Sequence, residues 1–351
     1  MRIQVQPFTV HKRVALTISR GTTAQTTNLW LSLEQDGLEG WGEASPFSVG
    51  GQPQTTERLR QALEAIAPVL EPYSPFDQQK LAPLLAKLPS AARTALDLAI
   101  HDWIGKQVGL PLWQLWGLDR QNIVPTSVTV GINTPTAAQQ RLRDWMECTE
   151  VKAVKIKLGN PEGLRADQEM FRAVMEVCPP GAKVSVDANG GWNVEGAIAM
   201  AHWLAEAGVT YLEQPLPQGQ EADLITLYPV SPLPIFVDES CFTSQDIPKL
   251  ADRVHGINIK LMKSGGLAEA LRMVHTAKAH GLQIMFGCYS DSALANTAAA
   301  HLAPLADHLD LDSHLNLTDD PFMGANLQDG CLIPSENPGL GVSLDLATID
   351  A

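Results

Sequence analysis

Residues 151–159 read Val151-Lys152-Ala153-Val154-Lys155-Ile156-Lys157-Leu158-Gly159, an apolar run interrupted by lysines. The apolar residues suit a buried β-strand, in which side chains two positions apart point to the same side. Lys155 and Lys157 therefore share one face, and because lysines are seldom buried alone, anionic groups or solvent should lie opposite them. Each charge should also lower the pKa of the other, which makes a lysine a better base near neutral pH. Taken alone, the stretch is equally consistent with an exposed edge strand.

A repeating unit surrounds this stretch. From Ser127 onward, short apolar strands alternate with amphipathic helices. The strands are predicted to end near Gly131, Lys157, Asp187, Glu213, Asp238, Lys260, Gly287 and Asp312. Eight strands alternating with helices, without long hairpins between them, predict an α/β fold of the (β/α)₈ barrel type.

The chain before the barrel has a different pattern. Alternating segments near residues 3–6 and 29–34 predict antiparallel strands, joined by a polar loop that contains Arg20. A third strand should end at Trp41-Gly42-Glu43, and helices follow it. The predicted division is an α+β capping domain over residues 1–115, a barrel domain over residues 116–317, and a C-terminal segment, residues 318–351, that packs back on the capping domain.

Composition narrows the class of protein. The 351 residues include 39 acidic and 25 basic ones, a net charge of −14, which disfavours nucleic acid or an anionic membrane as a partner. The five cysteines lack C-x-x-C spacing, which favours reduced thiols and a cytoplasmic location. We find no run of eighteen apolar residues, so no membrane-spanning segment is expected. A homo-oligomer stays an open possibility.

Carboxylates recur at the predicted carboxyl ends of three successive strands. These are Asp187, Glu213 and Asp238. Any one of them alone is as well explained as a cap of the following helix. Three in register favour a metal site, and an oxygen-only ligand set without histidine or cysteine favours Mg²⁺, which keeps positions open for substrate.

The remaining strands bring further polar residues to the same face of the barrel. The second and sixth of eight strands lie opposite each other, so Lys157 and Lys260 should flank a ligand held by the metal. Asp310 and Asp312 form a second pair of inward carboxylates that suits a cationic group of the substrate, although one of them could simply cap a loop. Two further candidates for substrate contact, at the ends of the first and seventh strands, are Thr129 and Ser290.

Together these motifs resemble the enolase superfamily, in its muconate-lactonizing-enzyme-like subgroup. The matching motifs span almost the whole chain: Trp41-Gly-Glu43, Lys155-x-Lys157, Asp187-Ala-Asn189, Glu213-Gln-Pro215, Asp238-Glu-Ser240 and Lys260-x-x-Lys263-x-Gly-Gly. Within the subgroup, Asp310-x-Asp312 resembles the aspartates with which dipeptide epimerases hold the substrate's α-ammonium. Arg20 falls where L-Ala-D/L-Glu epimerases carry a loop arginine that faces the side-chain carboxylate. The seventh strand, Gly287-Cys288-Tyr289-Ser290-Asp291-Ser292, departs from those enzymes.

The resemblance implies a Mg²⁺-dependent dipeptide epimerase that inverts the α-carbon of the C-terminal residue, by 1,1-proton transfer through an enediolate. An L-Ala-D/L-Glu-like dipeptide is the expected substrate. Lys157 and Lys260 would be the two bases, and Lys155 would hydrogen-bond the enediolate and lower the pKa of Lys157. Lys263 is expected to be structural, and Asn189 and Glu239 to support the metal ligands. The alternatives are a lyase of the same fold, either o-succinylbenzoate synthase or a muconate cycloisomerase, and a non-catalytic barrel.

Overall fold

The computed structural model describes residues 1–49 and 53–345. The chain begins with a three-stranded antiparallel sheet, whose strands are β1 (Arg2–Ile18), β2 (Gly21–Gln35) and β3 (Leu38–Ala44). Ile18 pairs with Gly21, so only Ser19 and Arg20 form the turn between β1 and β2. The polar loop expected there is shorter, because its threonines continue the ladder: the hydroxyl groups of Thr17 and Thr22 lie 2.9 Å apart.

Three helices follow this sheet, α1 (Thr56–Leu70), α2 (Gln78–Leu85) and α3 (Ser90–Val108), and of these α1 and α3 pack on it. The leucines at positions 29, 31 and 33 alternate along β2 and are fully buried. Helix α3 packs so closely on β3 that a Cβ atom on Gly42 would collide with the carbonyl oxygen of Ala95. The glycine of the Trp41-Gly42-Glu43 motif is therefore required by helix-to-sheet packing.

Eight parallel strands follow, in an order that runs around a ring. They are β4 (Val128–Val130), β5 (Ala153–Lys157), β6 (Lys183–Asp187), β7 (Leu212–Glu213), β8 (Ile235–Val237), β9 (Gly256–Lys260), β10 (Gln283–Gly287) and β11 (His308–Asp310). The ring closes where Thr126 bridges Leu309 and the amide of Ser127 donates to the Leu309 carbonyl at 2.9 Å. The predicted barrel with its antiparallel N-terminal domain is confirmed.

Further helices precede the first barrel strand or connect one barrel strand to the next. They are α4 (Leu112–Leu115), α5 (Pro135–Cys148), α6 (Leu164–Met175), α7 (Val194–Glu206), α8 (Leu224–Leu227), α9 (Ile247–Leu250), α10 (Leu261–Ser264), α11 (Leu267–Ala279) and α12 (Ala293–Ala300). Five barrel strands end at the predicted residue, and the other three end one or two residues before Gly131, Asp238 and Asp312. In the described ranges, no helix has the length and apolar character needed to cross a membrane.

The chain after the barrel forms short strands: β12 (Phe322–Met323), β13 (Asn326–Gln328), β14 (Cys331–Ile333) and β15 (Ser343–Leu344). The Phe322 ring packs edge-on against Phe8 and Trp30 of the first sheet, with centroids 5.4 and 5.7 Å away. The backbone N–H of His11 donates to Asp319 at 2.7 Å. Of the predicted segment 318–351, residues 346–351 lie outside the described residues.

Candidate active site

The carboxyl ends of the barrel strands gather charged side chains under the β1–β2 turn. In the parallel ladder, Asp187 at the end of β6 lies beside Lys157 on one side and Glu213 on the other. This register follows from the sequence, because each of the three strands ends at its charged residue. All three side chains are almost completely buried.

Lys155 lies at the floor of this cluster. Its ammonium contacts Glu213 Oε2 at 2.6 Å, Asp310 Oδ2 at 2.7 Å and Asp187 Oδ2 at 3.6 Å. Burial alone would lower the pKa of Lys155, but the carboxylates of Asp310, Glu213 and Asp187 outweigh it and hold the pKa well above its usual range. The expectation that Lys157 would lower the pKa of Lys155 is therefore wrong, because three anions surround this ammonium.

The two lysines chosen as bases lie nearer the surface of the site. Lys157 Nζ is 2.7 Å from Asp187 Oδ2, and Lys260 Nζ is 2.8 Å from Asp238 Oδ2. Burial opposes the charge of Lys260, but Asp238 outweighs it and raises the pKa well above its usual range. In this arrangement Lys260 carries its proton, which is the form that can return a proton to a substrate.

Lys263 is fully buried beneath Asp238. Its ammonium lies 2.6 Å from Asp238 Oδ1 and donates to the carbonyl oxygens of Cys241 at 2.9 Å and Asn258 at 3.1 Å. Burial would raise the pKa of Asp238, but Lys260 and Lys263 together hold it well below its usual range. Lys263 therefore sits where its predicted structural role requires.

The acidic side chains are suited to a hard cation. Asp187, Glu213 and Asp238 are at most 1% exposed and offer only oxygen. Burial and the charge of Asp187 raise the pKa of Glu213 to about 7, which shows an excess of negative charge around it. Neither Glu213 Oε2 nor Asp238 Oδ1 accepts a regularly oriented hydrogen bond, although an ammonium is 2.6 Å from each.

Lysine ammonium groups lie among these carboxylates. Within residues 1–49 and 53–345, no three acidic, histidine or cysteine side chains are arranged closely enough to coordinate a metal ion as they stand. Lys155 lies between Asp187 and Glu213. The donor chemistry fits Mg²⁺, and binding requires the lysine contacts to loosen.

Two adjacent cavities open above the lysines. One, of about 310 Å³, is lined by Lys157 and Lys260 and is covered by Arg20 and Phe47 of the N-terminal domain. The other, of about 530 Å³, extends past Lys157 to the carboxylates at the end of β11. Lys157 lines both, so the cavities form one cleft long enough for an extended ligand.

The Asp310 and Asp312 carboxylates lie at the far end of this cleft, next to Thr129. The Thr129 amide donates to Asp312 at 2.7 Å, and its hydroxyl group donates to Asp310 at 3.3 Å. Burial and the neighbouring charge of Asp310 raise the pKa of Asp312 to about 6, against the Thr129 hydrogen bonds. Burial would also raise the pKa of Asp310, but Lys155 and Lys157 hold it well below its usual range. The structure thus brings all three predicted residues together.

Arg20 reaches down from the β1–β2 turn. Its guanidinium forms an ion pair with Glu239 at 2.6 Å and donates to the Asn189 carbonyl at 2.8 Å. Asn189 in turn donates to Asp187 through its backbone, at 2.7 Å, and through its side chain, at 3.0 Å. Asn189 has a positive φ of 45°, a conformation that costs energy outside glycine and is common at functional sites. Arg20 lines the smaller cavity but is already paired.

Ser290 lines the same cavity, and its carbonyl accepts a hydrogen bond from Asn28 at 2.9 Å. Sequence reasoning missed two other residues in the cleft. Lys12, on β1, and Tyr289 line both cavities. The alternation of β1 could have pointed to Lys12, whereas nothing in the sequence shows which way Tyr289 turns after the end of β10.

Both halves of the chain resemble known proteins. Residues 2–117 match the mandelate racemase/muconate lactonizing enzyme N-terminal domain, and residues 137–348 match the enolase C-terminal domain-like family. A hydrophobic dipeptide epimerase of Flavobacteria bacterium (strain MS024-2A) is 47% identical over 346 residues, 98% of each chain. An L-Ala-D/L-Glu epimerase of Bacteroides thetaiotaomicron is 34% identical and covers 97% of this chain and 88% of its own.

A solved structure shows the same architecture. The dipeptide epimerase of Enterococcus faecalis V583, complexed with Mg and the dipeptide L-Leu-L-Tyr, superposes with a TM-score of 0.90. It is 30% identical over 97% of this chain and 99% of that one. Both halves of the chain match, and the resemblance inferred from the motifs is confirmed: the protein belongs to the mandelate racemase/muconate lactonizing enzyme family of the enolase superfamily.

Proposed function

We propose that this protein is a Mg²⁺-dependent dipeptide epimerase that inverts the α-carbon of the C-terminal residue. The observation that carries the proposal is the pair Lys157 and Lys260, which end β5 and β9 and line one cavity of about 310 Å³. These are the second and sixth strands of an eight-membered ring, so the two amines face the cavity from opposite sides. Inversion needs one group to remove a proton and another to deliver one on the opposite face.

The proposed metal ligands are Asp187, Glu213 and Asp238. When bound, Mg²⁺ offsets the negative charge that builds up on the substrate carboxylate as the α-proton leaves, as is general for enolase-superfamily sites. Asn189 keeps Asp187 oriented through its two hydrogen bonds. Lys155 holds Glu213 and Asp310 in place from below, and its predicted hydrogen bond to the enediolate stays a prediction.

The lysines act as an acid and base pair. One of them, as a free amine, removes the α-proton, while the other, as an ammonium, returns a proton to the opposite face. In the structure each Nζ lies at the rim of the cavity, 2.7 and 2.8 Å from a carboxylate oxygen of Asp187 and Asp238, and these contacts would loosen when the two carboxylates hold Mg²⁺. Because either lysine can start the reaction, both epimers are substrates.

The carboxylates of Asp310 and Asp312 set the orientation of the dipeptide. They accept the α-ammonium of its N-terminal residue in the larger cavity, with Thr129 holding both carboxylates. The substrates of the rival lyases have no ammonium group, so two carboxylates at this place would only repel them. This contrast favours the epimerase over o-succinylbenzoate synthase or a muconate cycloisomerase.

The side chain of the C-terminal residue lies in the smaller cavity. Its apolar walls include Leu16, Ile18 and Phe47. Arg20, on which the expectation of an acidic side chain depends, would have to leave Glu239 to reach a substrate carboxylate. The apolar walls and the 47% identical relative, a hydrophobic dipeptide epimerase, both favour an apolar C-terminal residue. Ala-Glu stays the second candidate substrate.

The test is a panel of dipeptides incubated with the enzyme and Mg²⁺ in D₂O, followed by mass spectrometry and chiral chromatography. We expect one deuteron per turnover and equilibration of the two epimers, with Ala-Leu or Leu-Tyr faster than Ala-Glu. Lys157→Ala and Lys260→Ala should each stop epimerisation. Normal racemisation by both variants would refute the roles of the lysines.

We also infer a cytoplasmic location. All five cysteines are free thiols in the structure, as a reducing compartment requires. Fractionation of cells that express the tagged protein tests this inference. The formation of a homo-oligomer stays a prediction.

A further inference from the structure

Tyr289 contacts one of the two bases and has no part in the chemistry described above. It follows β10, two residues after the strand ends at Gly287. Lys260 Nζ lies over its ring, 4.5 Å from the centroid. The ring also stacks on Phe47 of the N-terminal domain, with centroids 4.7 Å apart and an angle of 8° between the planes. The Tyr289 ring therefore lies between Phe47 of the N-terminal domain and Lys260 of the barrel.

The Tyr289 side chain lines the cleft and carries a hydroxyl group without a hydrogen-bond partner anywhere in residues 1–49 and 53–345. This hydroxyl group is buried. A buried hydroxyl group without a partner is costly, so such groups usually meet a ligand or water. The same side chain lines both cavities, where the dipeptide would lie.

The two lysines differ in this respect. Lys157 contacts Asp187, and no aromatic ring of the described chain lies over its ammonium. Lys260 has both a carboxylate and a ring face. A lysine side chain is a flexible four-carbon stem, so a second contact restricts the positions that its Nζ can occupy. The geometry is therefore asymmetric across the reacting carbon.

We propose that Tyr289 is a positioning residue for Lys260 and not for Lys157. The ring attracts the ammonium through its negative face and keeps Nζ at the rim of the cavity, close to the α-carbon. Phe47 keeps the ring itself in place. This inference rests on the proposed epimerase function, because it assigns a neighbour to one of the two bases.

Exchange of the α-hydrogen in D₂O separates the two bases. In Lys157→Ala only Lys260 can exchange the α-hydrogen, and in Lys260→Ala only Lys157 can; NMR of each pure epimer reports both rates. Tyr289→Leu, added to Lys157→Ala, should slow exchange about 30-fold, the size of one cation–π contact at a buried site. When Tyr289→Leu is added to Lys260→Ala, the fold reduction in the exchange rate should be at least several times smaller.

Two further variants distinguish the effect of the Tyr289 ring from that of its hydroxyl group and from a general loss of structure. Tyr289→Phe keeps the ring, so it should keep the ratio between the two exchange rates while raising KM for both epimers. Tyr228→Leu is the matched control, because it removes a ring that packs on His255, at 4.5 Å, and lines neither cavity.

The assignment would be overturned if Tyr289→Leu slowed exchange equally in the two lysine variants. It would also be overturned if Tyr228→Leu changed the ratio between the two exchange rates as much as Tyr289→Leu does. A wild-type enzyme that epimerises no dipeptide would instead overturn the proposed function. The two failures are thus distinguishable.

Discussion

Replacing Asp312 with asparagine should weaken dipeptide binding by about 1.5–3 kcal/mol, roughly 10- to 150-fold in Kd. Asp312 is 6% exposed, and none of the ion pairs within the described ranges involves it. Its closest partner is the Thr129 amide, at 2.7 Å. A substrate ammonium would therefore supply the ion pair that Asp312 otherwise lacks, and asparagine keeps the size of the side chain while removing its charge.

Asp310 is a poorer target for the same experiment. It accepts hydrogen bonds from Lys155 at 2.7 Å and from Ser127 at 2.8 Å, and both contacts are buried. Removing its charge would leave the Lys155 ammonium short of an anion, which costs folding free energy as well as affinity. A loss of activity in Asp310→Asn would not distinguish these two effects, whereas Asp312→Asn leaves the Lys155 contacts in place.

The assay compares a free dipeptide with its N-acetylated form, in wild type and in Asp312→Asn. Acetylation removes the positive charge, so it should lower kcat/KM of the wild type strongly and that of the variant much less. Asp144→Asn is the control, because Asp144 lines the same cavity but bonds Gln140, at 2.8 Å. Efficient turnover of the acetylated dipeptide by the wild type, or equal effects of the two variants, would refute the role of Asp312.

Five other outcomes are expected. Excess EDTA should abolish turnover and Mg²⁺ restore it, and Asp187→Asn should be inactive with an unchanged circular dichroism spectrum. Since the pKa of Asp312 is raised to about 6, its charged form grows as pH rises, so KM should fall between about pH 5 and 7, and Asp312→Asn should flatten that profile. Glu43→Ala leaves the amide of Ser292 and other buried donors unpaired, and should lower the free energy of unfolding in urea by about 3 kcal/mol. Arg20→Met should raise KM for Ala-Glu more than for Ala-Leu; equal losses would mean that Arg20 only supports Glu239.

The barrel could be predicted because its signal is local. A buried parallel strand is a short apolar run, and in this barrel a charged residue marks the point where the run ends. Lys157, Asp187 and Glu213 each end a strand where the sequence places them. The length of the first hairpin could not be predicted in this way, because β2 begins with a polar run, residues 21–25, that is exposed on both sides and shows no alternation.

Contacts between distant residues escaped the sequence. Arg20 and Glu239 are more than two hundred positions apart, and their 2.6 Å ion pair exists only because the first hairpin folds over the barrel. The pKa of Lys155 was mispredicted for the same reason: the neighbour in the strand was visible, whereas Asp310 comes from β11, which is last in the sequence and lies near β5 only because the ring closes beside β4. The local sequence identifies the charged residues, but the direction of their pKa shifts depends on neighbours that only the closed barrel brings together.

The four lysines of the site have two different roles, and the depth at which each is buried distinguishes them. Lys155 and Lys263 are fully buried, each within 3 Å of at least two oxygens, and neither lines the cleft. Lys157 and Lys260 end their strands, so their ammonium groups reach the cavity with one carboxylate each. A lysine surrounded by anions keeps its proton and balances buried charge, whereas a lysine at the cavity rim can exchange its proton with a substrate. The depth of each lysine along the barrel axis, and not its type or its motif, therefore separates the supporting cations from the candidate bases.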